Sequence, residues 1–582
     1  MKKLLLIFSS FFLLANNAPV QEQELIAPEI SSGFFAKEQL ETKEFMVVSG
    51  HIVASEAAQK IIQKGGSAID AAIAAQLVLN VVEPHASGIG GGGFLLYYDA
   101  KKQKSSFFDG RETAPQNINP DIFLDKNGDN KNFKEALKGG ASVGVPGLLK
   151  MLKMAHSEHG KLPWFELFND AINVAALGYH VTPRINNLIA NTAHIKEFKE
   201  MKELFFQDKK PRAINDIIKN PDLANSLREI AANGINSFYQ GKLGEEIVNK
   251  VQNSKINKGS LTLKDLANYK ALSGDLICLN YRKNKVCSMP MPSSGGVTLL
   301  QILGILENFD LTQMEPYSIE SLHLINEAMR LAYADRNTYT ADSAFVDVPI
   351  KKMLDKKYLK ERSFLINVDA AMINVYPGEF SQLNSPKYAH YQNKYEPPST
   401  THISILDKEG NAVSLTSSIE YSFGSGLMAG GFILNNQLTD FSFKSKVNQK
   451  LVANRIEAGK KPRSSMSPTF VFDKNDKLIM IVGSPGGARI ISYVAKTIIA
   501  TLDWQMDIHE AVNEPNFNKM NDTLELEEES YFSDFKPDLE KIGHKVKVRD
   551  LTSGIHAIFI DNERKIISAG IDKRREGAAT GE

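Results

Sequence analysis

Ser399 and Thr400 form the junction in this sequence whose residue types most clearly indicate catalytic chemistry. They follow Pro397 and Pro398 at the end of a polar run, a composition typical of an exposed loop where chains are cut. Breaking the bond between them gives Thr400 a free α-amine with a pKa of about 7.7 to 8.0, which can accept the proton of its own hydroxyl. The pattern predicts a self-cleaving chain with an N-terminal threonine nucleophile, although threonine also begins many strands for its β propensity alone.

Attack by such a hydroxyl needs donors for the oxyanion that forms. The segment Gly483–Gly487 supplies candidate backbone amides, because it lies between a predicted strand and a predicted helix from Arg489 to Leu502. Amides at a glycine turn that enters a helix point at negative charge. A plain strand-to-helix loop is the alternative.

These groups must be positioned by the regular elements around them, and the periodicity predicts a mixed α/β protein. Apolar residues at helical spacing predict helices over 55–64, 71–82, 145–158, 223–232, 298–307 and 319–334. Strand patterns cover 94–98, 402–406, 412–416, 432–434, 478–482 and 557–560. The two strands after Thr400 are joined by Asp407–Asn411, where Gly410 suits a tight turn, so we expect a hairpin.

The composition is that of a globular protein. Of 582 residues, 43% are hydrophobic and 23% charged, and the formal net charge is zero. A neutral chain lacks the basic excess of nucleic-acid binders, which favours a small-molecule substrate. Residues 1–18 have the charged start and short apolar run of a signal peptide, followed by a polar linker over 19–44, and we expect export to the periplasm or the medium.

The sequence contains two cysteines, Cys278 and Cys287, placed symmetrically about Arg282 and Lys283. A hairpin centred on that pair would bring the cysteines together, and export permits a disulfide. Two buried thiols are the alternative.

Several separated motifs closely resemble the γ-glutamyltranspeptidase family. They are Pro398–Ser404, Asn435–Phe441, Pro462–Pro468, Gly483–Gly487, Phe108–Pro115, Pro292–Gly296 and Glu327–Arg336. The resemblance runs from about residue 45 to the C-terminus. It implies an N-terminal nucleophile hydrolase with a four-layer αββα sandwich, cut before Thr400 into a large subunit (45–399) and a small catalytic subunit (400–582) that stay together.

The resemblance also implies roles for individual residues. Thr400 matches the nucleophile, Ser418 a supporting hydroxyl, and Gly486 and Gly487 the oxyanion donors. Arg111, Ser464 and Ser465 match residues that hold a donor's α-carboxylate, while Gln437 and Asp440 match those that hold its α-amine. From the residues alone, Arg111 would be a surface ion pair and Asp440 a loop cap.

The implied activity is transfer of the γ-glutamyl group of glutathione or a related amide to water, amino acids or peptides, with no metal or cofactor. Two departures from the family pattern bear on specificity. Glu420 stands where many members have asparagine, and the stretch from Phe441 to Arg463 is shorter than in members with a lid. Alternatives are a glutaryl or cephalosporin acylase with the same nucleophile and, more distantly, an uncut periplasmic binding protein.

Overall fold

Two seven-stranded sheets form the centre of the protein. The computed structural model describes residue 29 and residues 31–380, 388–391 and 399–582, so the predicted signal peptide and most of the polar run before Ser399 lie outside the described residues. The Thr400 sheet has the strand order Ala578–Gly581, Met46–Ser49, Ser399–Leu406, Ala412–Glu420, Gly92–Asp99, Lys104–Asp109 and Leu272–Gly274. The Gly483 sheet has the order Glu41–Thr42, Ile566–Ile571, His556–Asp561, Leu478–Gly483, Thr469–Phe472, Asn284–Ser288 and Ile277–Tyr281.

The four central strands of the Thr400 sheet, from Met46–Ser49 to Gly92–Asp99, are buried on both faces. Successive strand side chains point to opposite faces, so Val47 packs in one core while Met46 and Val48 pack in another. The second core also contains residues of the Gly483 sheet, such as Met480 and Val482. The two sheets therefore face each other, which explains the near-continuous apolar runs in these strands.

Helices surround the sheets. Those in the first half of the chain are Ile52–Gln63, Ala68–Val82, Phe133–Ala136, Leu148–His159, Asn169–Leu177, Pro183–Asn191, Lys199–Phe205, Pro221–Asn233, Asn236–Tyr239, Lys242–Gln252 and Leu263–Asn268. Those that follow are Ser294–Leu306, Ile319–Tyr339, Ile350–Met353, Lys356–Ser363, Ile490–Leu502, Ile508–Asn513 and Lys536–Lys541. Within the described part of the chain, none is both long and apolar enough to cross a membrane.

Short strands and turns complete the chain. Two-stranded ribbons pair Tyr179–His180 with Ile217–Ile218, Phe206–Gln207 with Lys210–Pro211, Met428–Ala429 with Phe432–Ile433, and Lys446–Val447 with Lys450–Leu451. A three-stranded sheet joins Phe517–Asn518, Thr523–Glu527 and Lys545–Arg549. The stretch from Phe441 to Arg463 thus carries one small hairpin.

The predicted helices and strands are confirmed, with shifts at their ends. The helix predicted over 71–82 begins at Ala68, because Ser67 and Asp70 cap it reciprocally. The helix predicted over 319–334 continues to Tyr339, since its last polar residues are buried against neighbouring segments. The hairpin after Thr400 is also confirmed, with Gly410 at φ +81° in its turn.

The cysteines lie opposite each other on adjacent antiparallel strands. Cys278 pairs in register with Cys287, and their sulfur atoms form a disulfide. Of the two readings of the sequence, the structure has the disulfide.

Candidate active site

The Ser399–Thr400 bond lies at the start of a buried strand, with hydroxyl groups gathered around its carbonyl oxygen. The Thr400 Oγ1 donates to the Ser399 carbonyl oxygen at 2.5 Å and lies 3.2 Å from the Ser418 Oγ. The Ser418 Oγ donates to the same carbonyl oxygen at 2.7 Å. A hydroxyl nucleophile and a second hydroxyl donor therefore converge on one peptide carbonyl, which places the nucleophile beside the group it would attack and a donor on the oxygen.

A strand irregularity orients this junction. The pairing of the strands Ser399–Leu406 and Ala412–Glu420 shifts register between Ser399 and Thr401, and such bulges re-aim side chains next to active sites. Behind Ser418, a Cβ on Gly91 would come within 2.2 Å of the Ser418 carbonyl oxygen. The glycine run before the strand Gly92–Asp99 is thus a close-packed turn against the site.

Arg111 is buried, and its partners come from distant parts of the chain. Its Nη2 donates to the Asp440 Oδ2 at 2.5 Å, and its Nε donates to the Pro462 carbonyl oxygen at 3.1 Å. Glu112 lies behind it, but burial raises the pKa of Glu112 to about 8, so this carboxyl is mostly neutral at pH 7. Asp440 is therefore the main counter-charge of Arg111, and the surface ion pair expected from the residues alone is wrong.

Glu420 and Gln437 complete an acidic side of the pocket. The Glu420 carboxylate accepts hydrogen bonds from the Thr439 Oγ1 at 2.8 Å and from the Asn436 Nδ2, while the Gln437 Nε2 donates to Asp440 at 2.6 Å. Burial raises the pKa of Glu420 well above its usual range, and Asp440 raises it further. Glu420 also has φ +81°, a left-handed conformation that is uncommon for a non-glycine residue and typical of functional sites.

Ser464 and Ser465 lie in a loop held by the helix that begins at Ser294. The Ser464 carbonyl oxygen accepts from the Ser294 Oγ at 2.6 Å, and Arg336 donates to the Ser465 Oγ at 2.6 Å. The Ser464 Oγ accepts from the backbone of Met466 at 3.1 Å. Both serines are thereby fixed at the edge of the pocket.

Gly486 and Gly487 form the turn between the strand Leu478–Gly483 and the helix Ile490–Leu502. Their φ angles are +137° and +60°, values that favour glycine. A Cβ on Gly486 would come within 2.7 Å of the Tyr493 ring. The turn therefore requires glycine for backbone conformation at both positions and for close approach at Gly486.

One pocket brings together all but one of the active-site residues predicted from the sequence. Gly486 is the exception, lying next to the pocket rather than on its surface. The pocket is lined by Arg111, Ser399, Thr400, Ser418, Glu420, Gln437, Asp440, Arg463, Ser464, Ser465, Met466, Gly487, Ala488 and Ile490. Within the described ranges, no group of three or more His, Cys, Asp or Glu side chains is placed to hold a metal ion.

Sequence reasoning missed several residues that support this pocket. Asp109 and Arg336 lie inside motifs that were identified, but their partners are distant in sequence. Lys461 stands just outside a motif, and its Nζ donates to the Asp109 Oδ2 at 2.6 Å. Arg575 donates to the Thr400 carbonyl oxygen at 3.3 Å and carried no sequence signal that was recognised.

Comparison with known families agrees with this geometry. Residues 54–582 match the family described as gamma-glutamyltranspeptidase. The chain belongs to this family. Like other members of the γ-glutamyltranspeptidase family, it is an enzyme of the N-terminal nucleophile hydrolase superfamily.

Relatives within the family carry two kinds of name. A glutathione hydrolase proenzyme of Bacillus subtilis (strain 168) is 38% identical over 552 residues, covering 93% of this chain and 92% of that protein. An acylase ACY 1 proenzyme of Pseudomonas sp. (strain SE83) is 32% identical over 521 residues, covering 88% of each. The crystal structure of a cephalosporin acylase from Bacillus halodurans superimposes with a TM-score of 0.83 at 24% identity, covering 96% of this chain and 99% of that one, a likeness of fold alone.

Proposed function

We propose that this protein is a γ-glutamyl transferase and hydrolase that cuts itself before Thr400 and takes glutathione or a related γ-glutamyl amide as donor. The observation that carries the proposal is the approach of the Thr400 Oγ1 to the Ser399 carbonyl oxygen at 2.5 Å, with the Ser418 hydroxyl on the same oxygen. The family's relatives named glutathione hydrolase support the choice of donor.

Self-cleavage proceeds by transfer of an acyl group within the chain. The Thr400 Oγ1 attacks the Ser399 carbonyl carbon, and the Ser418 hydroxyl stabilises the charge that develops on the oxygen. The bond from that carbon to the Thr400 nitrogen breaks, the nitrogen takes a proton, and an ester joins Ser399 to the Thr400 oxygen. Hydrolysis by water then leaves a carboxylate on Ser399 and a free α-amine on Thr400.

The same oxygen attacks the donor in the mature enzyme. The Thr400 α-amine accepts the hydroxyl proton and passes it to the leaving amine, so the γ-glutamyl group becomes an ester on Thr400. The amides of Gly486 and Gly487 serve as oxyanion donors. Water releases glutamate from the ester, whereas an amino acid or peptide amine takes the γ-glutamyl group.

The pocket residues fit the two charges at the donor's α-carbon. Arg111, Ser464 and Ser465 hold the carboxylate, because a guanidinium and hydroxyls donate to it. Asp440, Glu420 and Gln437 hold the ammonium. Arg111 and Asp440 bind each other, so a zwitterionic donor replaces one ion pair with two.

The proposal extends to the mature assembly. The cut divides the chain into a large subunit of residues 45–399, which keeps the linker over 19–44 at its N-terminus, and a small subunit of residues 400–582. The two are joined as a heterodimer around a four-layer αββα sandwich. The two facing sheets with helical neighbours support this architecture. The disulfide supports export to an oxidising compartment, the periplasm or the medium, after removal of a signal peptide over residues 1–18.

Three acyl donors test the donor class. We expect the cleaved protein to release p-nitroaniline from γ-glutamyl-p-nitroanilide at least about 100-fold faster, by kcat/KM, than from glutaryl-p-nitroanilide, which lacks the α-amine. A 4-aminobutyryl anilide, which lacks the α-carboxylate, reports on the other charge. Faster turnover of the glutaryl donor would instead favour the acylase function, which the 32% identity to an acylase motivates. An uncut full-length band on a denaturing gel would favour a binding protein.

The raised pKa of Glu420 predicts a pH-dependent KM. A carboxyl whose pKa is raised keeps its proton as the pH climbs from the ordinary carboxyl range towards neutrality. Binding an α-ammonium beside it favours the ionised form, so binding releases a proton and tightens as the pH rises. We expect KM for γ-glutamyl-p-nitroanilide to fall by up to about tenfold per pH unit over this range.

Glu420→Gln should flatten that dependence, because the amide does not titrate. The glutaryl donor is the matched control, since it has no ammonium to bind. An identical slope of KM with pH for both donors, or in the Gln variant, would assign the dependence to another group.

Lys461 links the segment that carries Arg111 to the segment that carries Ser464, the two segments that form the proposed carboxylate subsite. Asp109 accepts from the Lys461 Nζ at 2.6 Å and from the Arg111 backbone nitrogen at 2.7 Å, while Pro462 binds the Arg111 side chain. We expect Lys461→Met to raise KM for γ-glutamyl-p-nitroanilide about tenfold with little change in kcat, because Arg111 loses its alignment. Lys461→Arg should recover most of the loss. An equal fall in kcat would contradict a role confined to this subsite.

A further inference from the structure

The carboxylate of Glu29 is buried between two buried arginines. The Arg184 Nε donates to the Glu29 Oε1 at 2.7 Å, and the Arg575 Nη2 lies 2.9 Å from the Oε2. Burial alone would raise the pKa of Glu29, but the charges of Arg184 and Arg575 outweigh it, and the pKa lies below its ordinary value. Glu29 is therefore a buried carboxylate ion with two cationic partners.

Both arginines connect Glu29 to the proposed cleavage junction through hydrogen bonds. The Arg575 Nη1 donates to the Thr400 carbonyl oxygen at 3.3 Å. Arg184 binds Glu83, whose Oε2 accepts from the Thr401 Oγ1 at 2.8 Å. Glu29 is thus one side chain away from Thr400 by one route and two away from Thr401 by the other.

The segment 31–37, next to Glu29, is anchored along the chain that carries Arg575. The Phe35 backbone nitrogen donates to the Lys573 carbonyl oxygen at 2.7 Å, and the Lys37 Nζ donates to the Gly577 carbonyl oxygen at 2.6 Å. The Ser31 backbone nitrogen donates to Asp550 at 2.6 Å. These contacts fix the segment on both sides of Arg575.

We propose that Glu29 is a positioning residue for the Ser399–Thr400 junction, holding Arg575 against the Thr400 carbonyl while the Thr400 hydroxyl attacks. Without this carboxylate, the Arg184 and Arg575 guanidinium groups would repel each other, with Glu83 bound to Arg184. Arg575 would then move away from the Thr400 carbonyl oxygen, and the Thr400 hydroxyl would lose its alignment with the Ser399 carbonyl. The inference rests on the proposed self-cleavage at Thr400, and the same contact aligns Thr400 after the cut.

Glu29→Gln removes the charge while keeping the shape. Glu38→Gln is the matched control, because Glu38 follows the segment 31–37 directly and its side chain is exposed. The measurements are the first-order rate of fragment formation on a denaturing gel, and kcat and KM of cleaved protein. We expect Glu29→Gln to slow cleavage and lower kcat on the order of 10- to 100-fold, with KM nearly unchanged. Glu29→Asp should recover part of the rate, and Glu38→Gln should behave as the parent does.

A merely structural role is tested in the non-cleaving Thr400→Ala background, where the melting temperature is compared with and without Glu29→Gln. Slowed cleavage with a melting temperature within a few degrees of the parent supports the proposal. Unchanged cleavage and kcat overturn it. A strongly lowered melting temperature also overturns it if the variant cleaves at the parent rate when assayed well below that temperature, because the loss is then one of stability. Cleavage that persists in the Thr400→Ala chain itself would instead refute the proposed function.

Discussion

Thr400→Ala is expected to leave the bond between residues 399 and 400 uncut and to reduce turnover of γ-glutamyl-p-nitroanilide by at least about 10⁴-fold. The variant lacks the oxygen that lies 2.5 Å from the Ser399 carbonyl oxygen, so neither the ester at the junction nor the ester with the donor can form. A denaturing gel and a p-nitroaniline assay on purified protein measure both effects.

Thr400→Ser is the matched control for this result. Serine keeps the hydroxyl but loses the γ-methyl that restricts χ1, so cleavage should continue more slowly. N-terminal sequencing of the smaller fragment should then give serine in the first cycle, followed by Thr401 and His402. A Thr400→Ala chain that still splits at this bond and turns over donor at the parent rate would refute the mechanism.

Arg111→Met should cost about 10²- to 10³-fold in kcat/KM for γ-glutamyl-p-nitroanilide, chiefly through KM. Removing the guanidinium leaves the donor's carboxylate in a buried site without its cation, a loss typical of broken charge pairs in interfaces. Arg111→Lys should recover only part, because an ammonium cannot reproduce the hydrogen bonds of Arg111 to both Asp440 and Pro462.

The 4-aminobutyryl anilide is the control for Arg111, since it lacks the α-carboxylate. Its turnover should change little in Arg111→Met, whereas the γ-glutamyl donor should lose its advantage over it. Equal losses on both donors would mean that Arg111 supports the pocket without binding the carboxylate.

Local sequence was sufficient to predict the elements, the Thr400 junction and the glycine turn. The other pocket residues were predicted only through the resemblance of their motifs to a known family. Thr400, Asp440 and Ser464 lie in short contiguous motifs, and the strand pattern that follows Thr400 marks its strand. The helix ends were less predictable, because caps such as Ser67 with Asp70 add residues that lie outside the apolar pattern.

The supporting contacts could not be predicted, since they join residues remote in sequence. Lys461 meets Asp109 across 352 positions, and Arg575 meets Thr400 across 175. In the sequence, Lys461 and Arg575 have the same surroundings as a lysine or arginine on the solvent-exposed surface. The fold alone brings these charges into a buried site, where each requires a partner.

The strand order of the Thr400 sheet has a consequence for how the protein refolds after denaturation. Met46–Ser49 lies between Ser399–Leu406 and Ala578–Gly581, and Gly92–Asp99 lies beside Ala412–Glu420. A break before Thr400 therefore leaves two polypeptides whose strands alternate in one hydrogen-bonded sheet. That sheet would have formed while they were still a single chain. Once denatured, the two polypeptides of such a cut chain would have to find each other by diffusion. The proposed cut would therefore make refolding depend on concentration, and the lifetime of the folded protein would be set by its unfolding rate.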